Sequence, residues 1–188
     1  YKEKGSKFLS FAFPVEREEQ IKSELDGIRK KYFDARHYCY AWVLGADKTR
    51  FRANDDGEPN HSAGDPILGQ IRARDLTDVL VVVVRYFGGT KLGVGGLVNA
   101  YRTATRAALE QAKVVEKEVY VCFWAQFDYS FTPEIMRLIK DFDIIVIDQR
   151  YDHVTNMKCS VSKKQIVGLK ERIQLLQALG ISVKVQWD

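Results

Sequence analysis

The segment that most restricts the fold is residues 79–112. It opens with Val79-Leu80-Val81-Val82-Val83-Val84, an unbroken apolar run that then meets Arg85 and Tyr86. A strand with one solvated face alternates apolar and polar side chains. This one does not, so it needs a packing layer on each face. Directly after the strand comes Phe87–Gly96, with glycines at 88, 89, 93, 95 and 96, and then a helical pattern over Leu97–Gln111. Glycine lets the backbone take positive φ and approach a ligand closely. A helix start leaves free N–H groups and a partial positive charge. The order predicts an anion site at the junction, suited to phosphate or a nucleic-acid backbone, with Lys91 adding charge and Thr90 a hydroxyl. It is not a Walker loop, because no Gly-Lys-Ser/Thr closes it. It is not a dinucleotide fingerprint either, because no third glycine falls in register. Tight packing of helix on sheet is the competing role for the same glycines.

Two halves are expected, 1–115 and 116–188. In the second, Glu118–Tyr129 alternates and is rich in β-formers, so it reads as a strand. Thr132-Pro133-Glu134 opens a helix carrying Ile135, Leu138, Ile139 and Phe142 at helical spacing. Strands follow at Ile144–Arg150 and Val154–Val161, joined by a turn at Tyr151-Asp152-His153. Ser162 is expected to cap a helix that runs to Leu179 and stops at Gly180. Ile181–Trp187 closes as a strand. The order β-α-β-β-α-β predicts a ferredoxin-like arrangement. In the first half, Ser6–Phe13 is a strand and Glu16–Tyr32 a helix. Ala35–Leu44 is a strand with Tyr38, Tyr40 and Trp42 on one face and His37, Cys39 and Ala41 on the other. Arg50–Ala53 is a short strand, and a helix begins at Ala63. The fold class is α+β.

Composition narrows the function classes. The chain has 188 residues, 46% hydrophobic and 29% charged, which is enough to bury a core without disulfide or metal staples. No apolar run approaches ~18 residues, so no membrane-spanning helix and no membrane partner is expected. The first residues, Tyr1-Lys2-Glu3-Lys4, carry no apolar leader. Cys39, Cys122 and Cys159 are far apart and form no C-x-x-C, which reads as reduced thiols in a cytoplasmic protein. The formal charge of +4 permits a polyanionic partner. Without a dense basic tail, any such contact falls to a folded patch.

Two further clusters are candidates for chemistry. Asp55, Asp56, Glu58 and His61 form an acidic loop that suits a hard cation or acid–base work, although their spacing matches no metal template. The plainer reading is a solvated turn in which Ser62 or Asp65 caps the next helix. Arg36-His37-Tyr38-Cys39-Tyr40-Ala41-Trp42 alternates aromatics with basic side chains. That pattern suits base stacking with phosphate contact, or a buried aromatic sheet face. The residues assign no catalytic group, no cofactor and no metal.

Three stretches taken together resemble the IMPACT/YigZ family. They are Gly5-Ser6-Lys7-Phe8, Arg36–Gly45, and Asp55-Asp56-Gly57-Glu58-Pro59 with Ala63–Leu68. The resemblance is carried above all by Val82-Val83-Val84-Arg85-Tyr86-Phe87-Gly88-Gly89-Thr90-Lys91-Leu92-Gly93-Val94-Gly95-Gly96-Leu97-Val98-Asn99-Ala100-Tyr101. It implies a first domain with the fold of ribonuclease PH, the GHMP kinases and the fourth domain of elongation factor G. The second would resemble that factor's fifth domain. RNA or ribosome contact in a translation setting is the implied function, with no catalytic residue to transfer. A protein partner is the alternative, as is an enzyme holding a nucleotide or phosphorylated small molecule at the glycine loop. On the RNA reading, Arg36, Arg85 and Lys91 neutralise phosphates, Tyr86 or Phe87 stacks, and Gly88, Gly89, Thr90, Gly93, Gly95 and Gly96 shape the anion site. The chain departs from the family pattern at Asn60-His61-Ser62 and at Asp65, where a Lys is usual.

Overall fold

The computed structural model describes residues 1–151 and 153–187. Asp152, part of the expected Tyr151–His153 turn, lies outside them. The chain is α+β, with two antiparallel sheets, and forms two compact units, Tyr1–Val114 and Val115–Asp188. Among the described residues no helix is long and apolar enough to cross a membrane.

The first unit runs β1 (Lys2–Glu3), β2 (Ser6–Pro14), α1 (Glu18–Lys31), β3 (His37–Leu44), β4 (Arg50–Asn54), α2 (Gly64–Ala73), β5 (Val79–Tyr86) and α3 (Gly93–Gln111). The sheet order is β1-β2-β5-β3-β4, with every neighbouring pair antiparallel. The apolar strand β5 is therefore the centre, and Leu80 to Val84 are each 0% exposed. Full burial of such side chains contributes about 1.5–3 kcal/mol apiece. One face, carrying Tyr38, Tyr40, Trp42, Leu80, Val82 and Val84, is covered by Ile21, Leu25 and Ile28 of α1. The other, carrying Phe8, Cys39, Ala41, Val81 and Val83, is covered by α2 and α3. The unbroken apolar run thus has a layer on each side, and the two faces of β3 divide as its alternation predicts.

Two local features differ from the sequence reading. Lys2–Glu3 is a strand paired with Ser6–Lys7, closed by Lys4 and Gly5 at φ of 44° and 80°. Two positive φ values make the tight hairpin turn that a sheet's twist favours, which places a short strand ahead of the one expected from Ser6. Helix α3 also starts earlier than Leu97. Gly93, Gly95 and Gly96 lie in its first turn, so the true loop is only Phe87–Leu92. Glycine's poor helix propensity hid that turn.

The second unit runs β6 (Tyr120–Phe127), α4 (Thr132–Asp141), β7 (Ile145–Tyr151), β8 (Thr155–Ser162), α5 (Ile166–Ala178) and β9 (Val183–Trp187). Its sheet order is β7-β8-β6-β9. Both helices pack on one face, with Ile135, Leu138, Leu169, Ile173 and Leu176 against Phe123, Phe127, Met157 and Val161. Pro133 sits at the start of α4 as expected. Gly180 ends α5 at φ +88°, and the Ile181 N–H bonds back to the Leu176 carbonyl at 3.1 Å. Ser162 makes no side-chain cap bond; a 3-10 turn at Lys163–Gln165 intervenes before α5.

The central strand of the first sheet and the edge strand of the second should differ sharply in opening. Six of the seven β7 residues from Ile145 onward, all but Gln149, are exposed on a bulged edge strand. Native-state hydrogen exchange is expected to be slowest at Val81–Val84 and fast along Ile145–Tyr151. Equal protection of the two would contradict this packing.

Candidate functional site

The acidic loop and the glycine loop meet at the C-terminal end of β5, and a buried polar chain joins them. Arg85 pairs across the sheet with both Phe8 and His37, and its side chain lies on the α3 side. Its Nη1 donates to both carboxylate oxygens of Glu58, at 2.7 and 2.9 Å. The Tyr101 hydroxyl of α3 donates to the same carboxylate at 2.7 Å. Nη2 of Arg85 lies 3.5 Å from the Ser6 hydroxyl, which also accepts the Gly88 N–H at 3.2 Å. Side-chain exposure is 6% for Arg85 and 3% for Glu58. Arg85 Nε is buried without a partner among the described residues.

This placement changes what Arg85 contributes. Its positive charge is neutralised internally by Glu58, so it supports the loop rather than presenting a free charge. Gly88 has a steric reason to be glycine. A Cβ there would lie 1.9 Å from the Gly5 carbonyl carbon and 2.1 Å from the Ser6 nitrogen. The β1–β2 turn therefore rests on the glycine loop backbone and brings Lys4 and Gly5 to it. That neighbourhood was missed from sequence; the only signal was the Lys4-Gly5-Ser6-Lys7 turn chemistry.

The remaining acidic residues each have internal work. Asp55 accepts the Ala63 and Gly64 N–H groups at 2.9 and 2.8 Å, and that of His61 at 2.9 Å. It therefore caps α2, the task expected of Ser62 or Asp65. Ser62 instead donates to the Pro59 carbonyl at 2.6 Å. The loop folds back over the helix start, a contact that short sequence spacing does not reveal. Asp56 accepts the Tyr38 N–H at 2.7 Å and faces Arg29 at 3.6 Å. The two departures from the family pattern form a pair, with His61 Nδ1 2.7 Å from Asp65 Oδ2. Among the described residues no group of three or more His, Cys, Asp or Glu is placed to hold a metal.

Cys39 and His37 do not form a nucleophile pair. The thiol sits 3.0 Å from the Asp55 carbonyl and 3.2 Å from the Tyr101 hydroxyl. Burial, ahead of nearby carboxylates, pushes its pKa well above the ordinary thiol range, so the thiolate is disfavoured. The His37 ring Nδ1 lies 2.9 Å from the Asp56 carbonyl. A carbonyl only accepts, so Nδ1 carries the proton.

The other named residues divide by face. Tyr86 packs with the α1 layer and donates to Asp34 at 2.7 Å. That hydrogen bond, with lesser help from burial, pushes its hydroxyl up to about 12. Gly88, Gly89, Thr90, Lys91, Gly93 and Gly95 are exposed, as are Phe87, Lys4 and Arg36. The start of α3 has no side-chain cap and no acidic residue in its first turn. A Cβ at Gly95 would meet nothing within 4 Å, and the same holds at Gly89 and Gly93, which take φ of +86° and +72°.

The buried pair generates a direct test. Replacing Glu58 with Gln alone should cost about 3–5 kcal/mol, since it strands a buried guanidinium. The double change Glu58→Leu with Arg85→Met should cost distinctly less. Urea unfolding of both variants checks this, and a single-mutant loss below ~1 kcal/mol would refute the assigned role.

The comparisons with known proteins bear on this same unit. A sequence profile of the Impact N-terminal domain matches residues 4–109. The chain is 31% identical over 166 residues to the IMPACT family member YvyE of Bacillus subtilis, spanning 88% of this chain and 76% of that one. It is 31% identical over 172 residues to the family member YigZ of Escherichia coli, spanning 90% of this chain and 84% of that one. A crystal structure of a hypothetical protein aligns with TM-score 0.70 at 29% identity, covering 98% of this chain and 90% of that one. The profile takes in nearly all of the first unit and the bacterial relatives extend through the second, so this chain belongs to the IMPACT family.

Proposed function

We propose that the protein is a non-enzymatic, cytoplasmic RNA- or ribosome-associated factor of translation, and that it grips the RNA phosphate backbone at the start of α3. The observation that carries this reading is the contrast between two helix starts in one unit. The N–H groups at the start of α2 are taken by Asp55. The start of α3 has Leu92 as N-cap, which cannot accept, no acidic residue in its first turn, and exposed Lys91, Thr90 and Lys4 nearby. Gly95 strengthens the point. Neither crowding nor positive φ demands glycine there, and glycine in a helix costs about 0.5–1 kcal/mol relative to Ala. Close approach by a ligand backbone accounts for it.

The fold reading belongs to the same proposal. Residues 1–115 take the fold of ribonuclease PH and the fourth domain of elongation factor G. Residues 116–188 take a ferredoxin-like fold, supported by the β-α-β-β-α-β order and the β7-β8-β6-β9 sheet. An extended polyanion suits the site better than an enclosed small molecule, because residues 87–91 are all exposed. A groove of about 330 Å³ lined by Tyr1, Phe8, Ser10, Tyr32, Ala104 and Gln111 includes none of them.

Fluorescence anisotropy with a labelled RNA at low salt is the test. Lys91→Glu should weaken binding about tenfold and lower the salt slope by roughly one. Gly95→Ala should weaken binding while leaving the unfolding midpoint unchanged or slightly raised. Absence of binding at low salt, or indifference to both changes, would overturn the proposal.

A further inference from the structure

The second unit presents a sheet face that neither of its own helices covers. Inward residues Phe123, Ala125 and Phe127 of β6 and Met157, Cys159 and Val161 of β8 meet α4 and α5. The alternate residues point the other way. Register places them in rows. Asp148, Lys158, Trp124 and Gln186 lie side by side across β7, β8, β6 and β9. Arg150, Asn156, Gln126 and Lys184 form the next row, while towards the other end Ser160 and Ser162, opposite Cys122 and Tyr120, are buried.

The chemistry of this face is specific. Trp124 sits on a central strand, half-buried, with the Lys158 ammonium 5.8 Å from its ring centre. Around it lie three side-chain amides, two of which bond each other, Gln126 Nε2 donating to Asn156 Oδ1 at 3.2 Å. Among the described residues the charged members are Lys158, Arg150 and Lys184 with one carboxylate, Asp148, which already faces Arg150 at 3.3 Å. The face is net positive, aromatic at its centre and rich in amides. A flat aromatic ring stacks a base, amides read base edges, and cations take phosphates. The exposed apolar surface is limited to Trp124, Tyr120 and, at the edge, Ile145 opposite Ser160, a smaller apolar centre than a protein partner would meet.

The geometry points to a single-stranded RNA interface on this open face, with a base stacked on Trp124 and phosphates held by Lys158 and Lys184. It extends the RNA reading from the backbone grip on the first unit to a second, base-stacking contact. The two are separable by variant.

The experiment titrates the full chain with a short unstructured RNA, reading anisotropy and tryptophan emission together. Trp42 is 8% exposed, so it reports little. Trp124→Ala should weaken binding about tenfold or more and abolish most quenching, whereas Trp124→Phe should retain most of the affinity. Lys184→Glu, at an exposed position of β9, should weaken binding and lower the salt slope by about one. Lys91→Glu in parallel reports on the first unit alone. If it has no effect while Trp124→Ala and Lys184→Glu do, the second interface stands without the first. Unchanged RNA affinity in both Trp124→Ala and Lys184→Glu, with wild-type melting, overturns the inference and leaves the face to a protein partner.

Discussion

The buried ion pair between Arg85 and Glu58 is the constraint on which the candidate site depends. Desolvating a guanidinium and a carboxylate is expensive, and the pair persists because its remaining groups find partners. Tyr101 donates to Glu58 from α3, and Ser6 links Arg85 to the Gly88 amide. One bonded chain therefore fixes the acidic loop, the central strand, the first turn of the sheet and the glycine loop together. The loop's backbone is further pinned by the contact of Gly88 with Gly5, where no side chain fits. A preorganised loop is what an anion site needs, because ordering it on binding would cost free energy.

The same chain explains a division of labour among charges. Arg85 and the carboxylates of residues 55, 56 and 58 are absorbed in structure, while Lys91 and Lys4 remain exposed. Asp55 silences the electropositive start of α2. The field at this end of the unit is thus left to α3 and the flanking lysines. A basic excess of four charges over the chain is modest, so binding by such a site should be salt-sensitive rather than tight.

Much of the fold was legible because periodicity is a strong signal where burial is complete. Val79–Val84 demanded two layers and has them. The alternation of Tyr38, Tyr40 and Trp42 against Cys39 and Ala41 divided the two cores correctly. Pro133 and Gly180 marked helix ends by backbone chemistry alone. The misses are of another kind. Glycines 93, 95 and 96 belong to a helix that propensity argues against, because Leu97, Ala100 and Tyr101 supply the packing that overrides it. The capping of α2 by Asp55 and the pairing of Arg85 with Glu58 join residues far apart in sequence. No local pattern announces such contacts. Arg85 next to glycines reads as a phosphate ligand until its burial is seen.

On the proposed function, the amides at the start of α3, and not those of α2, receive an anionic backbone. Amide chemical shifts of the ¹⁵N-labelled protein during titration with a short RNA measure this most directly. The account predicts saturable shifts concentrated at Gly88–Leu97, with Ala63 and Gly64 unmoved because Asp55 holds them. Shifts at Ala63–Gly64 with residues 88–97 silent would contradict it.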